Sequence, residues 1–271
     1  MKPQDPFEKI AMPGVKNVIV VASGKGGVGK STVSANLAVA LAREGYKTAL
    51  FDADLYGPSA PIFFGLQDQK PEVIKEGEHE QIIPIEKYGV KIMSIGFFIL
   101  SKKSLIWRGP AATAGLVQLL STTQWGETDF LIIDFPPGTG DIQLTTIQKL
   151  NLTGAILVTT PQHIALADAQ KAADMFHTPL IQVPVLGVVE NMSYFTPTQH
   201  PDEKYYLFGQ GGGEKLAHQL GVPLLAKIPL VADVCELSDS GKTIFSSADH
   251  LIGDQFQQLA QQVSQLLVTH V

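Results

Sequence analysis

The 271-residue sequence predicts a doubly wound α/β fold, in which helices flank a mostly parallel sheet. Two observations lead to this fold class. Short runs rich in β-branched residues alternate with segments of helical periodicity, and these runs lack the polar alternation of a half-exposed strand. Strands that are apolar on both faces belong in a parallel sheet that is covered by helices on each side.

Seven strands and five helices are expected in alternation along the chain. The strand-like runs are NVIVVAS, TALFDAD, VKIMSIG, FLIIDFP, GAILVTTP, VPVLGVVEN and LLAKIPL. The helical segments cover residues 31–44, 111–120, 143–151, 166–176 and 255–268. Gly45 is the expected end of the first helix. Two polar segments, 67–81 and 194–213, interrupt the alternation and are predicted to be surface loops or small inserts.

Composition and charge limit the partners and the compartment. The formal net charge of −6 provides no basic field for nucleic acid or an anionic membrane, so neither partner is expected. The first 14 residues carry charges and prolines where a signal peptide needs an apolar stretch. We therefore expect a cytoplasmic protein with an extension over 1–14 and one domain over 15–271. Cys235 is the only cysteine, which excludes an intrachain disulfide.

The segment GKGGVGKS, from Gly24 to Ser31, fits the phosphate-loop pattern of a glycine, four residues and then Gly-Lys-Ser. It lies between a predicted strand and a predicted helix, which is the context that this motif requires. The backbone N–H groups of such a loop point at a polyphosphate. Lys30 is expected to neutralise β- and γ-phosphate oxygens, and Ser31 is expected to coordinate Mg²⁺. The pattern does not require the additional lysine, Lys25.

Carboxylates end two other predicted strands, as a magnesium–nucleotide site requires. LIIDFPPGTGD places Asp134 where it can hold a water on Mg²⁺, and the Pro-Pro-Gly that follows is typical of a switch beside the γ-phosphate. LFDADLYGPS places Asp52 and Asp54 two residues apart, so that both project to one side of an extended strand. One of the two could contact the magnesium shell while the other orients the attacking water.

The sequence also indicates which base is bound. The Asn-Lys-x-Asp and Thr-Lys-x-Asp elements that bind guanine do not occur. Asn191, at the end of VLGVVEN, can donate and accept hydrogen bonds at once, which suits the edge of adenine. The sequence therefore predicts that the chain binds ATP, together with Mg²⁺.

Six segments occur in the order seen in the Mrp/ApbC family of iron–sulfur cluster carriers, which the sequence resembles from about Val15 to its C-terminus. They are KGGVGKST, FDADLYGPS, DFPPGTGD, TTPQ, VENMSYF and FGQGGG. The resemblance implies a deviant-Walker P-loop ATPase related to MinD and ParA. It also implies a homodimer that forms around ATP, with iron–sulfur apoproteins or assembly factors as partners.

The resemblance implies roles for individual residues as well. Lys25 matches a lysine that reaches the partner's phosphates across the ATP-bound dimer, and Asp54 supports hydrolysis together with Lys25 and Lys30. Asp52 and Asp134 serve magnesium. Asn191 and the segment after Pro229 hold adenine. The phosphates are bound by the loop that comprises Gly24, Lys25, Gly26, Gly27, Val28, Gly29, Lys30, Ser31 and Thr32.

The sequence departs from the family's pattern after ENMSYF. Cluster-carrying relatives place Cys-x-x-Cys there, so that two subunits supply four thiolates to a bridging [4Fe-4S] cluster. Here the segment reads TPTQHPDEKYY, and cluster binding by the usual ligands is not predicted. Of three functions, the first, an ATP-dependent cluster carrier, is the one that the resemblance implies; the second, a MinD- or ParA-like positioning ATPase, and the third, an adaptor ATPase without a cluster, stay open as alternatives. The glutamine-rich C-terminal helix has no basic face for lipid, which argues against the second.

Overall fold

The computed structural model describes residues 9–76, 79–99, 110–179, 181–197, 199–200, 202–247 and 250–268. Within these residues, eight strands form one sheet and two further strands form a separate hairpin. In chain order the strands are β1 (Val15–Ala22), β2 (Thr48–Asp52), β3 (Glu72–Glu76), β4 (His79–Ile83), β5 (Ile85–Lys87), β6 (Val90–Ser94), β7 (Thr128–Asp134), β8 (Gly154–Thr159), β9 (Val185–Glu190) and β10 (Leu224–Lys227).

The large sheet has the strand order β10-β9-β8-β1-β7-β2-β6-β5. Its neighbouring strands are parallel, except that β5 pairs with β6 in the antiparallel sense. All seven predicted strands lie in this sheet, and the predicted doubly wound α/β class is confirmed. Because helices cover the sheet, central side chains such as Ile19, Val20, Ile132 and Ile133 are inaccessible to solvent.

The helices alternate with these strands. Helix α1 packs against α9, α4 against α5, and α6 against α7. In chain order the helices are α1 (Lys30–Arg43), α2 (Ala60–Phe63), α3 (Gly96–Ile99), α4 (Pro110–Thr122), α5 (Asp141–Gln148), α6 (His163–His177), α7 (Gly212–Leu220), α8 (Ala232–Asp239) and α9 (His250–Val268).

The five predicted helices correspond to α1, α4, α5, α6 and α9. Helix α1 ends where the sequence predicts, because Gly45 adopts a left-handed conformation with φ of 91°. The helices that were not predicted have between four and nine residues, too few for a clear periodic signal.

The two polar segments form different structures. Segment 67–81 contributes to the antiparallel hairpin of β3 with β4, so it is a small insert with strands of its own. Segment 194–213 begins as a loop in which Phe195 and Tyr205 exchange backbone hydrogen bonds of 2.9 and 2.8 Å. The end of this segment starts α7, because its last two glycines are the first residues of that helix.

The residues before β1 contact the main body of the protein. Ile10 is buried, and its backbone N–H donates a hydrogen bond of 2.8 Å to the carbonyl of Lys149 at the end of α5. Residues 1–8 of the predicted extension lie outside the described residues, and the boundary at residue 14 stays a prediction. In the part of the chain that is described, no helix has both the length and the apolar character to cross a bilayer.

Candidate functional site

The carboxyl ends of three adjacent strands define the candidate site. Strand β1 leads into the glycine-rich loop, and its neighbour β7 ends at Asp134. Strand β2 ends at Asp52, which is the register partner of Asp134. The fold therefore brings the predicted phosphate loop and two of the predicted carboxylates to one edge of the sheet, where ligands bind in open parallel sheets.

The phosphate loop surrounds a cavity of about 220 Å³. A Cβ atom at Gly26 or Gly27 would contact nothing, so the backbone of the loop is bare on its open side. A Cβ at Gly24 would lie 2.0 Å from the carbonyl carbon of Asp168 in α6, and therefore only glycine fits there. The residues that line this cavity are Ser23, Lys25, Gly26, Gly27, Gly29, Lys30, Ser31, Thr32, Asp54 and Pro137.

Lys30 and Asp134 form a buried ion pair behind this cavity. The Nζ of Lys30 donates to Oδ1 of Asp134 over 2.6 Å, and the two side chains are only 6% and 3% exposed. Ser34, one helical turn after Lys30, places its hydroxyl 2.7 Å from the same carboxylate oxygen. Asp134 therefore contacts the phosphate loop through Lys30, which lines the cavity, while Asp134 itself does not line it.

Asp52 is held by donors of the protein itself. Its Oδ2 accepts hydrogen bonds of 2.9 Å from the backbone N–H groups of Ser59 and Ala60 and from the hydroxyl of Ser94. Burial, and then the negative charge of Asp134, raise the pKa of Asp52 to about 7. Asp52 does not line the phosphate cavity. Through these contacts Asp52 holds the loop after β2 in place. Its role in binding magnesium stays a prediction.

Asp54 and Lys25 both line the phosphate cavity and are half-buried. Oδ1 of Asp54 accepts hydrogen bonds of 3.1 Å from the N–H groups of Tyr56 and Gly57, which fix the turn that carries it. Among the residues that are described, the ammonium group of Lys25 has no hydrogen-bond or ion-pair partner. Lys25 is therefore available to a ligand or to another subunit.

A second cavity, of about 390 Å³, adjoins the phosphate cavity. The two share Gly29 and Thr32. The second cavity is mainly apolar, and the predicted base-binding residues Asn191 and Pro229 are both part of its wall. Its lining consists of Gly29, Thr32, Asn191, Met192, Ile228, Pro229, Leu230, Val231, Val234, Cys235, Ser238, Asp239, Ile252 and Phe256.

Asn191 connects this second cavity to the phosphate loop. Its side-chain amide donates a hydrogen bond of 2.9 Å to the carbonyl of Val28. A Cβ at Gly29 would lie 2.1 Å from the same amide nitrogen, and the φ of Gly29 is 78°. Gly29 is therefore needed for its backbone conformation and for the space that Asn191 occupies. The sequence predicts that Asn191 contacts adenine. In the structure its side chain also holds the phosphate loop in place through the carbonyl of Val28.

Glu190 holds together the two ends of the polar segment that follows β9. This buried carboxylate accepts hydrogen bonds of 2.5 Å from the hydroxyl of Ser193 and from the N–H of Gly213. A Cβ at Gly213 would lie 2.6 Å from the Cβ of Glu190, which explains a glycine of the FGQGGG segment. Within the described ranges, no group of three or more His, Cys, Asp or Glu side chains could hold a metal ion.

Thus the structure brings together the phosphate loop, Asp54, Asn191 and Pro229, and places Asp134 directly behind Lys30. Three further residues hold the carboxylates and loops of the site and were not predicted from the sequence: Ser34, Ser94 and Glu190. For Ser34 a signal was present, because residues four apart on a helix share one face. Ser94 lies 42 residues from its partner Asp52, so no local pattern could have connected them.

A parallel sheet with a phosphate loop after its first strand and a second cavity beside that loop defines the class of P-loop nucleotide-binding proteins. The family model described as ParA, NUBPL iron-transfer P-loop NTPase, matches residues 14–264. The chain belongs to this family of iron-transfer P-loop NTPases, which confirms the resemblance found in the sequence.

Individual relatives agree with this family. An iron–sulfur cluster carrier protein of Aquifex aeolicus is 48% identical over 270 residues, which are 99% of this chain and 72% of the relative. The iron–sulfur cluster carrier protein of Escherichia coli K12 is 45% identical over 93% of this chain and 67% of its own length.

Solved structures resemble the chain in the same way. The nucleotide-binding protein of Archaeoglobus fulgidus, in complex with ADP, is 39% identical with a TM-score of 0.74, over 86% of this chain and 90% of the other. MinD of Pyrococcus horikoshii, in complex with Mg-ADP, has a TM-score of 0.61 at 22% identity, over 94% and 99% of the two chains. This second likeness concerns the fold alone.

Proposed function

We propose that the chain is a magnesium-dependent ATPase of the switch type, which dimerises around its nucleotide and transfers iron–sulfur clusters to apoproteins. The observation that carries the nucleotide part is that the two cavities are adjacent, since Gly29 and Thr32 line both. The polar cavity of the loop suits phosphates, and the apolar cavity beside Asn191 and Pro229 suits a base. The proposal takes 15–271 as one domain that acts in the cytoplasm.

Lys30 and Ser31 are proposed to act on the nucleotide together with Asp134. When nucleotide binds, the Lys30 ammonium group leaves Asp134 and contacts the β- and γ-phosphates. There it balances their negative charge together with the positive N-terminal end of the α1 dipole. The hydroxyl of Ser31 and the carboxylate of Asp134 are oxygen donors of the kind that magnesium prefers, so these residues fit the ion. When bound, Mg²⁺ would neutralise part of the negative charge of the β- and γ-phosphates.

Hydrolysis is assigned to Asp54 and Lys25. Asp54 is held by its turn at the edge of the phosphate cavity, where its carboxylate can orient a water. Lys25, without a partner in the described part of the chain, is proposed to contact the phosphates bound by the other subunit. Tyr56, next to this site, is 76% exposed, which is consistent with a face that a second copy covers. Hydrolysis would then require the dimer.

The base cavity can be tested with the native cysteine. Cys235 is exposed and lines this cavity, and it is the only cysteine of the sequence. A bound base would cover the thiol, so we expect saturating ADP to slow its reaction with 5,5′-dithiobis(2-nitrobenzoate) at least about fivefold. The release of thionitrobenzoate, followed by absorbance, measures this rate directly.

The matched control for this experiment is the Gly26→Ala protein, which adds a methyl group at a residue that lines the phosphate cavity and leaves Cys235 unaltered. We expect this variant to react at the rate of the free wild type with and without ADP. Equal rates for wild type with and without saturating ADP would mean that the base is bound elsewhere.

The iron–sulfur part of the proposal rests on the family and on the names of its relatives. A specific observation favours a second candidate, an adaptor ATPase without a cluster. Residues 196–206, where cluster-carrying relatives place their cysteines, contain none, and Cys235 lines the cavity assigned to the base, so that a cluster held by Cys235 would compete with the nucleotide.

Anaerobic reconstitution with iron and sulfide separates the carrier from the adaptor. For the carrier we expect iron bound at about four atoms per dimer, the content of one bridging [4Fe-4S] cluster. The Cys235→Ala protein shows whether this thiol takes part. Reconstituted wild type that retains no iron after gel filtration would remove the carrier function and leave the adaptor.

A further inference from the structure

Ser34 is a buried serine beside the Lys30–Asp134 ion pair, and it has no role in the function proposed above. It is fully buried in α1, four residues after Lys30, and its hydroxyl faces two acceptors. The Oδ1 of Asp134 is 2.7 Å away, and the carbonyl oxygen of Lys30 is 3.0 Å away. Ser34 therefore joins the first helix to the end of β7 at the point where the ion pair forms.

A hydroxyl group has one proton to donate, and the two acceptors differ in strength. Serines within helices often donate to the carbonyl four residues earlier, which here is Lys30. A hydrogen bond to a carboxylate is charge-assisted, and it is shorter and stronger than one to a neutral carbonyl. The shorter distance to Asp134 and its charge both assign the proton of Ser34 to the carboxylate.

The described hydrogen bonds to the Asp134 side chain both end on Oδ1, one from Lys30 and one from Ser34. Under the proposed function, on which this inference rests, the Lys30 ammonium moves to the phosphates when nucleotide binds. Of the two described donors, only Ser34 then remains on the carboxylate. A buried carboxylate that loses its last donor would be free to rotate or to follow Lys30.

We propose that Ser34 is a positioning residue that holds the Asp134 carboxylate in one orientation whether or not Lys30 contacts it. In that orientation Oδ1 is engaged by protein donors, and Oδ2 is left for the water shell of magnesium. Groups that hold a metal's ligands in this way typically change metal affinity or activity 10- to 100-fold when they are removed. Ser34 would thus set the magnesium requirement of the site without contacting the nucleotide.

The first test measures magnesium dependence of binding rather than turnover. Fluorescent ADP carrying a methylanthraniloyl group is titrated into wild type, Ser34→Ala and Ser34→Thr, in EDTA and over a range of Mg²⁺ concentrations. We expect Ser34→Ala to need about tenfold more Mg²⁺ for half-maximal enhancement of binding, with affinity in EDTA unchanged within about twofold. Ser34→Thr, which keeps the hydroxyl, is expected to restore the wild-type requirement.

The matched control is Ser264→Ala, because Ser264 is a nearly buried serine on α9 whose hydroxyl donates to the Gln261 carbonyl. It is expected to behave as wild type. An unchanged magnesium requirement in Ser34→Ala, with wild type binding ADP normally, would overturn the positioning role.

The second test needs no nucleotide and separates this inference from the proposed function. Urea unfolding of Ser34→Ala, Asp134→Ala and the double variant forms a double-mutant cycle. If Ser34 donates to Asp134, the effects on the unfolding equilibrium constant differ from additivity by about tenfold. Additive effects would mean that Ser34 bonds only to the Lys30 carbonyl and would overturn the inference. If the cycle shows coupling but the wild-type protein binds no ADP, the contact between Ser34 and Asp134 is supported and the proposed function is contradicted.

Discussion

The Lys30→Met protein is expected to lose nucleotide binding and to unfold about 3–5 kcal/mol more easily than wild type, because it leaves the buried Asp134 charge without its cation. Methionine keeps most of the apolar volume of the lysine side chain, so the loss reports the ion pair rather than a cavity. Loss of the cation is costly because the two side chains are only 6% and 3% exposed, and Nζ of Lys30 lies 2.6 Å from Oδ1 of Asp134. Urea unfolding gives the free energy, and calorimetric titration with ADP gives the binding.

Two comparisons make this result specific. Lys16→Met removes the cation of the solvent-exposed Lys16–Asp129 pair, which has a similar distance of 2.8 Å, and should lower the free energy of unfolding far less than Lys30→Met does. Lys30→Met/Asp134→Asn removes both charges and should recover much of the stability, while nucleotide binding stays lost. A Lys30→Met protein as stable as wild type would contradict the buried pair as described.

Lys25→Ala is expected to keep nucleotide binding within about threefold and to lower the rate of ATP hydrolysis at least about 100-fold. Lys25 has no partner in the described part of its own chain, so the apoprotein loses no contact when its ammonium group is removed. Its charge would be required only when the other subunit's phosphates are adjacent. Steady-state phosphate release measures the rate, and fluorescent ADP measures binding.

Mixing two inactive proteins tests whether Lys25 acts on its own subunit or on the partner. In a mixed dimer of Lys25→Ala with Asp54→Asn, the nucleotide of the Lys25→Ala subunit has its own Asp54 and the partner's Lys25. Half of randomly formed dimers are mixed and one of their two sites is complete, so about a quarter of the wild-type activity should return. If the mixture stays inactive, although the subunits exchange, Lys25 does not act across the dimer.

The sequence predicted the elements of the site that depend on local pattern. The phosphate loop follows from glycines and lysine at fixed spacing between a strand and a helix, and the structure places those residues around one cavity. Asp134 was predicted because a carboxylate at the end of a buried strand must lie at the ligand-binding edge of a parallel sheet. Asn191 and Pro229 were assigned to one base site, and both line the second cavity.

What the sequence could not predict is which partners the polar side chains would take. Asp52 looked equivalent to Asp54, yet it is fixed by Ser94 of a neighbouring strand and by two N–H groups of the α2 terminus. Glu190 reaches Gly213 across a 22-residue segment. Cys235 lines the base cavity because α8 forms part of its wall, which no local signal indicates. Such contacts arise from tertiary packing, and several donors compete for each carboxylate.

Calorimetric titration of the wild-type protein with ATP and with GTP, in the presence of Mg²⁺, tests the joined phosphate and base cavities most directly. We expect one ATP bound per chain and GTP bound at least about tenfold more weakly, because guanine has a carbonyl oxygen at C6, where adenine has the amino group from which the Asn191 side-chain oxygen can accept. Binding should disappear in Lys30→Met. The absence of heat with ATP at millimolar concentration, or equal affinity for ATP and GTP, would contradict an adenine nucleotide site at this edge of the sheet.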